Sequence, residues 1–210
     1  MLHRALLILV MLLSTGCSWG TNSESAVGRV DDLEGNPRLF RGNRYLELGP
    51  GSNIELHDSI ITGLSDKLRL ALRDGTVMRI GQDSELTIQE YSGLARPGML
   101  RLTSSGGHYR ITTGKSFRRA GSSMEIGTPA AIILSGNADL LVDAVDAGAL
   151  IVMQLGSDSI KVKNQFGETE LLNQGEMSTA NFGFSPSQPV RIGESELDAA
   201  IESTSLLNRR

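Results

Sequence analysis

Leucines alternate with charged or small residues over positions 68–72. A period of two places the leucines on one face of an extended strand and the charges on the other. Asp74-Gly75 follows, a pair that tolerates positive φ at both turn positions, and an apolar run resumes at 77–80. The pattern therefore predicts a hairpin or a tight solenoid corner over 67–80.

Similar short apolar runs continue along the chain, at 86–88, 99–102, 109–111, 124–126, 132–134, 138–142, 150–155 and 160–162. Gly, Asn, Asp or Ser usually separates these runs, and no helix-period segment of useful length lies between them. Many short strands punctuated by turn residues predict an all-β fold. Periodicity alone leaves sandwich, barrel and solenoid open.

The end of the chain has a different pattern. Ser195 followed by Asp198 resembles an N-cap signature. Four apolar residues beyond the cap fall on one helical face: Leu197, Ala200, Ile201 and Leu207. We expect a short helix within a C-terminal tail over 191–210, with a frayed tail as the alternative.

The longest apolar run lies at the start of the chain. His3 and Arg4 precede an apolar core over 5–13, within the roughly 7–15 residues typical of secretory signals and short of the ~20 that span a bilayer. Ser-Thr-Gly then leads to Cys17, and the segment resembles a bacterial lipoprotein signal. That resemblance implies a cleaved signal helix over 1–16 and a lipidated cysteine at the mature N-terminus. An ordinary cleaved signal, or an uncleaved anchor with an incidental thiol, remains the alternative.

The residues after the cysteine suggest a destination and a tether. In such lipoproteins an Asp directly after the cysteine signals inner-membrane retention, and here Ser18 stands at that position. We therefore expect a lipid-anchored envelope protein on the periplasmic side, in the outer membrane rather than the inner. Residues 17–26 are polar and lack periodicity, which suits a flexible tether to a single β-domain over 27–190.

Composition narrows the chemistry. Cys17 is the only cysteine, so once it is lipidated no disulfide or thiolate metal cluster can form in the mature chain. Aromatic residues make up 4% of the sequence, which predicts an aliphatic core. A formal net charge of −4 gives no support to nucleic-acid binding, which favours a basic face. We expect the basic groups at 38–44 and 115–119 to be solvated surface.

Several blocks together resemble the FecR-type periplasmic domain, over roughly residues 27–180. The matching segments are Ser-Ile-Ile-Thr-Gly at 59–63, the alternating strand into Asp-Gly-Thr at 68–77, and the turn and strand at 83–88. Met-Glu-Ile-Gly-Thr-Pro-Ala-Ala at 124–131 looks like the family's strand into Thr-Pro-x-Ala, and 164–176 looks like its closing strand and Gly turn. We assign as structural turn residues Asp58, Gly63, Asp74, Gly75, Pro129 and Gly175.

The resemblance implies a twisted, solenoid-like or sandwich-like β-domain. In its best-known members this domain receives a signal from an outer-membrane transporter and is joined by a membrane helix to a segment that controls a sigma factor. We expect the present chain to be the sensory or binding half alone, tethered by lipid, with a protein partner in the envelope.

Candidate chemical sites are weak. Gly114-Lys115-Ser116 lacks the glycine spacing of a phosphate-binding loop. His57, Asp58 and Ser59 are adjacent, so they point to alternating faces rather than converge as a triad. His57 and His108 are the only histidines after the signal, too few for a zinc site without carboxylates. Pairs of acidic residues lack the spacing of a calcium loop and are expected to be solvated charge: Asp31-Asp32, Asp143/Asp146 and Glu168/Glu170.

We therefore expect no catalytic residue, no cofactor and no metal. The favoured function is a non-enzymatic envelope lipoprotein whose β-domain binds, senses or scaffolds, with strand edges as one contact surface. The alternatives are a purely structural envelope protein and, less favoured, a carbohydrate-active enzyme.

Overall fold

The computed structural model describes residues 25–93, 97–144 and 148–206. These residues form strands β1 (Ala26–Glu34), β2 (Arg38–Arg41), β3 (Arg44–Glu47), β4 (Asn53–Glu55), β5 (Ser59–Ile61), β6 (Lys67–Leu72), β7 (Val77–Ile80), β8 (Glu85–Tyr91), β9 (Met99–Thr112), β10 (Ser123–Gly127), β11 (Ile132–Ser135), β12 (Asp139–Ala144), β13 (Ala149–Gln154), β14 (Ile160–Asn164), β15 (Gly167–Leu171), β16 (Glu176–Asn181) and β17 (Val190–Arg191). A 3₁₀ turn spans Lys115–Arg118, and helix α1 spans Glu194–Ser203. The all-β prediction is confirmed.

Two layers share one long strand. Sheet A has the order β4-β1-β6-β7-β9-β12-β13-β16-β17. Sheet B has the order β3-β2-β5-β8-β9-β10-β11-β14-β15. The first half of β9 pairs in sheet B and its second half in sheet A. Among the described strands neither sheet closes on itself, so the fold is an open sandwich rather than a barrel.

Strand β9 changes sheets at Gly106 and Gly107. Gly107 has φ +109°, and a Cβ there would lie 2.3 Å from Ser84 Cα. A side chain is excluded because the backbone of the neighbouring loop passes too close. The glycine pair thus lets one strand join both layers, and the chain beyond it alternates hairpins between them: β10-β11 and β14-β15 in sheet B, β12-β13 and β16-β17 in sheet A.

The core lies between the layers and is mainly aliphatic. Leu68, Leu70 and Leu72 of β6 point inward and are buried, whereas Lys67 and Arg69 are partly exposed. Burying each leucine contributes about 1.5–3 kcal/mol of transfer free energy. The alternation visible in the sequence is therefore the alternation between core and solvent.

Helix α1 covers a second apolar cluster on the outer face of sheet A. Leu141 and Met153 are buried there beneath Leu197, Ala200 and Ile201. The terminal helix is confirmed, with Leu207 outside the described residues. Among those residues, no helix has both the length and the apolar content to cross a bilayer.

The predicted cap of this helix is wrong. Gly193 is the N-cap, and it makes no side-chain cap hydrogen bond. Ser195 and Asp198 lie inside the helix, because the chain is already fixed one residue earlier by the hydrogen bond from Ile192 N–H to Gly175 O (2.9 Å).

The β6-β7 hairpin has a three-residue loop. Leu72 N–H donates to Thr76 O (2.8 Å), and Gly75 N–H donates to Leu72 O (3.0 Å). Gly75 has φ +89°, and Asp74 accepts hydrogen bonds from Thr76 N–H (3.1 Å) and from the Tyr91 hydroxyl (3.0 Å). Only Gly75 of the Asp-Gly pair has positive φ, since a type I turn followed by one left-handed residue closes this loop.

Gly75→Val is expected to destabilise the domain by about 1–2 kcal/mol, because a β-branched residue is strained at positive φ. The space around Gly75 is open, so the loss would come from the backbone alone. Thermal or denaturant unfolding measures it. Gly49→Val is the matched control, since Gly49 also has open space but does not have positive φ. Equal stability of the two variants would contradict the turn assignment.

Candidate functional site

The β2-β3 hairpin forms one free edge of sheet B. Gly42 and Asn43 connect the strands with φ +52° and +65°, the conformation of a type I′ turn. Strand β2 pairs with β3 on one side and with β5 on the other, whereas β3 pairs with β2 alone among the described strands. The hairpin thus extends the sheet and leaves one long side of β3 without a neighbour.

Backbone groups on this edge are free at alternate residues. Leu48 N–H donates to Pro37 O (3.3 Å), which identifies Leu48 and Pro37 as a hydrogen-bonded pair. Because hydrogen-bonded pairs alternate along an antiparallel ladder, Leu46 also bonds to β2, whereas Tyr45 and Glu47 point their N–H and C=O groups outward. The edge therefore presents the backbone N–H and C=O groups of two residues to an added strand.

Aromatic and cationic side chains flank the same edge. Tyr45 is 61% exposed. Its ring centroid lies 5.1 Å from that of Phe40, and the Arg38 guanidinium carbon lies 5.0 Å from the Tyr45 centroid. Leu46, whose side chain takes the opposite face of β3, is 40% exposed. Exposed Tyr and Arg are residues that protein interfaces favour, since both bury large area and donate hydrogen bonds.

An ion pair between a half-buried arginine and a buried aspartate fixes the hairpin to the body of the domain. Arg41, the last residue of β2, donates from Nε to Asp58 Oδ1 (2.6 Å) and from Nη2 to Asp58 Oδ2 (2.5 Å). Its Nη1 donates to Glu55 Oε1 (3.1 Å), and its Nη2 also donates to Asn53 O (3.1 Å). The hydrogen bonds to Asp58 raise the pKa of Arg41, against the opposing effect of partial burial. The arginine thus connects β2 to the turn between β4 and β5.

Asp58 is 0% exposed and also accepts a hydrogen bond from Glu55 N–H (2.6 Å). Its carboxylate therefore accepts from the backbone of its own turn and also binds Arg41 of the β2-β3 hairpin. A bidentate carboxylate–guanidinium pair fixes orientation as well as distance. The expectation of solvated surface at 38–44 is wrong for Arg41, because this carboxylate draws it inward.

The other sheet edges offer less for an added strand. β17 has two residues and β4 has three, so neither presents a long ladder. β15 carries exposed Glu168 and Glu170 on alternate positions, and Glu168 pairs with Lys161 (3.4 Å). Charged residues on edge strands discourage strand addition. β3 also carries two charged residues, Arg44 and Glu47, but of these described edge strands it is the one with an exposed aromatic side chain, Tyr45.

A second exposed surface lies at one end of the sandwich. Phe166, Phe182 and Phe184 are 51%, 70% and 69% exposed, and all three belong to loops at that end. Asn164 connects these loops by donating to Phe184 O (2.7 Å) and Ala130 O (3.2 Å). We call the surface formed by these three phenylalanines the phenylalanine end. Strand β1 begins at the opposite end, where Arg73 N–H donates to the Val27 O (3.0 Å).

The remaining turn assignments fall in distinct places. Pro129 lies between β10 and β11, where the Thr128 hydroxyl donates to Ala131 O (2.8 Å). Gly175 has φ +80°, and its N–H donates to Gln154 O (2.9 Å). Gly63 lies in a turn without positive φ; its N–H donates to Asp66 Oδ2 (2.8 Å), so a side-chain acceptor closes that turn. Cys17 lies outside the described residues.

The candidate catalytic groups do not converge. His57 has φ +67° in a turn, while Ser59 Oγ donates to Glu85 Oε1 (3.2 Å). His108 Nδ1 lies 3.1 Å from Asp143 Oδ1, and that carboxylate raises the pKa of His108. The Gly114 N–H donates to Thr76 Oγ1 (2.9 Å) within the fold. Among the described residues, no group of three or more His, Cys, Asp or Glu could hold a metal ion.

Sequence reasoning missed the hairpin that carries the edge. Gly42-Asn43 between Leu39-Phe40 and Tyr45-Leu46 is a recognised hairpin signal, a two-residue turn pair flanked by apolar and aromatic residues. The arginines on both sides hid it, because they were interpreted only as solvated surface.

Comparison with known proteins shows similarity of fold alone. Two crystal structures, at 1.65 Å and 2.50 Å resolution, of a candidate anti-sigma factor from Parabacteroides distasonis ATCC 8503 are similar to this chain, each with a TM-score of 0.55 and 14% sequence identity. The match covers 68% of this chain in both, and 64% and 63% of the other. The chain thus spans less than two thirds of the length of those proteins. No protein-family model and no curated protein matches it.

Proposed function

We propose that this protein is a non-enzymatic, lipid-anchored envelope regulator whose β-domain docks a protein partner along the free edge of β3. The observation that carries the proposal is that edge itself, with outward backbone groups at Tyr45 and Glu47 beside an exposed aromatic side chain. An extended segment of the partner would add as a further strand of sheet B. Backbone hydrogen bonds would supply affinity, and contacts with Tyr45 and Arg38 would supply specificity.

Rigidity of the edge supports the proposal. An added strand needs a template already in the bound conformation, since ordering the template on binding would cost affinity. The Arg41–Asp58 pair and the type I′ turn hold the β2-β3 hairpin in place without a partner. The edge is therefore pre-organised for docking.

Two likenesses favour a regulatory role over a structural or enzymatic one. The fold is similar to that of a candidate anti-sigma factor. The turn motifs resemble those of the FecR-type domain, which receives a signal in the periplasm. We infer a FecR-like sensory module that passes on a signal by binding.

Lipidation at Cys17 completes the proposed arrangement, with the domain on the periplasmic side of the outer membrane. Radiolabelled palmitate is expected to enter the wild-type protein, and Cys17→Ala is expected to abolish the label. Cys17→Ser is a second variant, which keeps a polar residue at the cleavage site. A soluble, unlabelled mature wild-type protein would contradict the anchor.

Crosslinking in cells tests the docking edge. A photoreactive phenylalanine analogue at Tyr45 is expected to capture one discrete protein, while the same analogue at Phe166, on the phenylalanine end, is expected not to capture it. Both positions are exposed aromatics, so insertion alone is matched. Capture of a second copy of this chain would favour the structural alternative. Capture from Phe166 alone would move the docking site to the phenylalanine end and refute the edge.

A further inference from the structure

Three arginines lie side by side on the outer face of sheet A. In the strand register Arg69 of β6 is opposite Arg79 of β7, and Arg79 is opposite Arg110 of β9. Directly opposed residues in an antiparallel pair have Cβ atoms about 4.5–5.5 Å apart. We call Arg69, Arg79 and Arg110 the arginine row. Three like charges at this spacing repel one another, so the arrangement needs compensation.

The two outer arginines have counter-ions. Arg69 Nη1 lies 2.9 Å from Asp31 Oδ2. Arg110 donates from Nε to Asp139 Oδ1 (2.9 Å) and from Nη2 to Asp139 Oδ2 (2.8 Å). Each aspartate faces an outer member of the arginine row, and the row keeps a net positive charge at its centre.

Arg79 is the exception. In the part of the chain that the structure describes, no carboxylate lies within ion-pair distance of its guanidinium, and no hydrogen bond engages it. Partial burial lowers the pKa of Arg79, and the charges of Arg110 and Arg69 lower it further, whereas Asp139 opposes them. The charged form of this side chain is thus stabilised less than that of its neighbours.

We propose that the arginine row binds a phosphate-type oxyanion centred on Arg79. Each guanidinium has five N–H donors, and Arg110 uses two of its five on Asp139. Arg69 and Arg110 flank Arg79 in the strand register, and each keeps N–H donors that its aspartate does not use. A tetrahedral anion can accept hydrogen bonds from several guanidinium groups at once, whereas a side-chain carboxylate typically pairs with a single guanidinium group. A free phosphate and a phosphorylated lipid headgroup share this chemistry.

Thermal unfolding of the full-length protein tests the site. Sodium phosphate is expected to raise the melting temperature above that in sodium chloride at equal ionic strength, because a ligand that binds only the folded state stabilises it. In Arg79→Gln the apparent dissociation constant for phosphate is expected to rise about tenfold or more, since hydrogen bonds to charged groups are lost. Without phosphate this variant is expected to be at least as stable as wild type, because a repelled cation is gone.

Arg101→Gln is the matched control. It removes the same charge, but from sheet B, where Arg101 pairs with Glu90 (3.0 Å) and Glu125 (3.4 Å). Its phosphate response is expected to equal that of wild type. The proposal would be overturned by a wild-type protein that responds neither to phosphate nor to phosphatidic acid vesicles. Equal responses of wild type and Arg79→Gln would also overturn it.

Vesicles distinguish the two sources of phosphate. Wild type and Arg79→Gln are compared on phosphatidylcholine vesicles with and without phosphatidic acid, so that any contribution of an acyl anchor is common to both. A wild-type preference for phosphatidic acid that Arg79→Gln lacks identifies a lipid headgroup. A response to inorganic phosphate without that preference identifies a free anion. Because the arginine row lies on sheet A, these outcomes are independent of docking at β3.

Discussion

Asp58→Ala is expected to lower the free energy of unfolding by about 2–4 kcal/mol. Asp58 is 0% exposed, and its loss leaves Arg41 without its bidentate partner. Removing one member of a buried pair typically costs about 3–5 kcal/mol, and the figure is lower here because the Arg41 side chain is 31% exposed and can rehydrate. Glu55 N–H loses its acceptor as well. Chemical denaturation measures the change.

Two comparisons separate the ion pair from a general effect of charge. Glu168→Ala removes an exposed carboxylate from its pair with Lys161 and is expected to cost less than about 1 kcal/mol. The double variant Arg41→Ala/Asp58→Ala is expected to lose less stability than the sum of the two single variants, since neither charge is then left unpaired. A strictly additive double variant, or an Asp58→Ala protein as stable as Glu168→Ala, would refute the anchoring role of Asp58.

Glu47→Pro is expected to reduce the yield of partner captured by the photoreactive residue at position 45 by at least about tenfold. The Glu47 N–H points away from β2, so proline removes a donor for an added strand without breaking the hairpin ladder. The added ring also obstructs approach along the edge. Yield of the crosslinked species in cells is the measurement, with protein level as the reference.

Leu46→Pro provides the contrast at the adjacent position. The Leu46 N–H belongs to the ladder with β2, so this variant is expected to lower the melting temperature, whereas Glu47→Pro leaves it nearly unchanged. Undiminished crosslinking in a folded Glu47→Pro protein would show that the partner does not add to β3. Glu47→Pro is expected to leave the phosphate response of the arginine row intact, because that row lies on the other sheet.

Local patterns in the sequence predicted many of the elements, although not the β2-β3 hairpin. Alternation over 68–72 predicted β6 because core and solvent faces of a strand follow the same period of two. Asp74-Gly75 located the loop after it, although the loop has three residues rather than two. The apolar face of the C-terminal segment predicted α1, while its cap residue was wrong because Gly193, with no cap side chain, begins the helix.

Tertiary structure alone decided where those elements meet. That Arg41 bonds to buried Asp58, and that Arg79 stands between two other arginines, depends on how the strands pair with one another. Shifting one strand by a single residue would turn each of these side chains to the other face of its sheet. A sequence pattern specifies which face each residue takes along its own strand, and only the register specifies its neighbours across strands. For that reason the sequence predicted an aliphatic β-domain, whereas the free edge and the arginine row became visible only in the folded sheets.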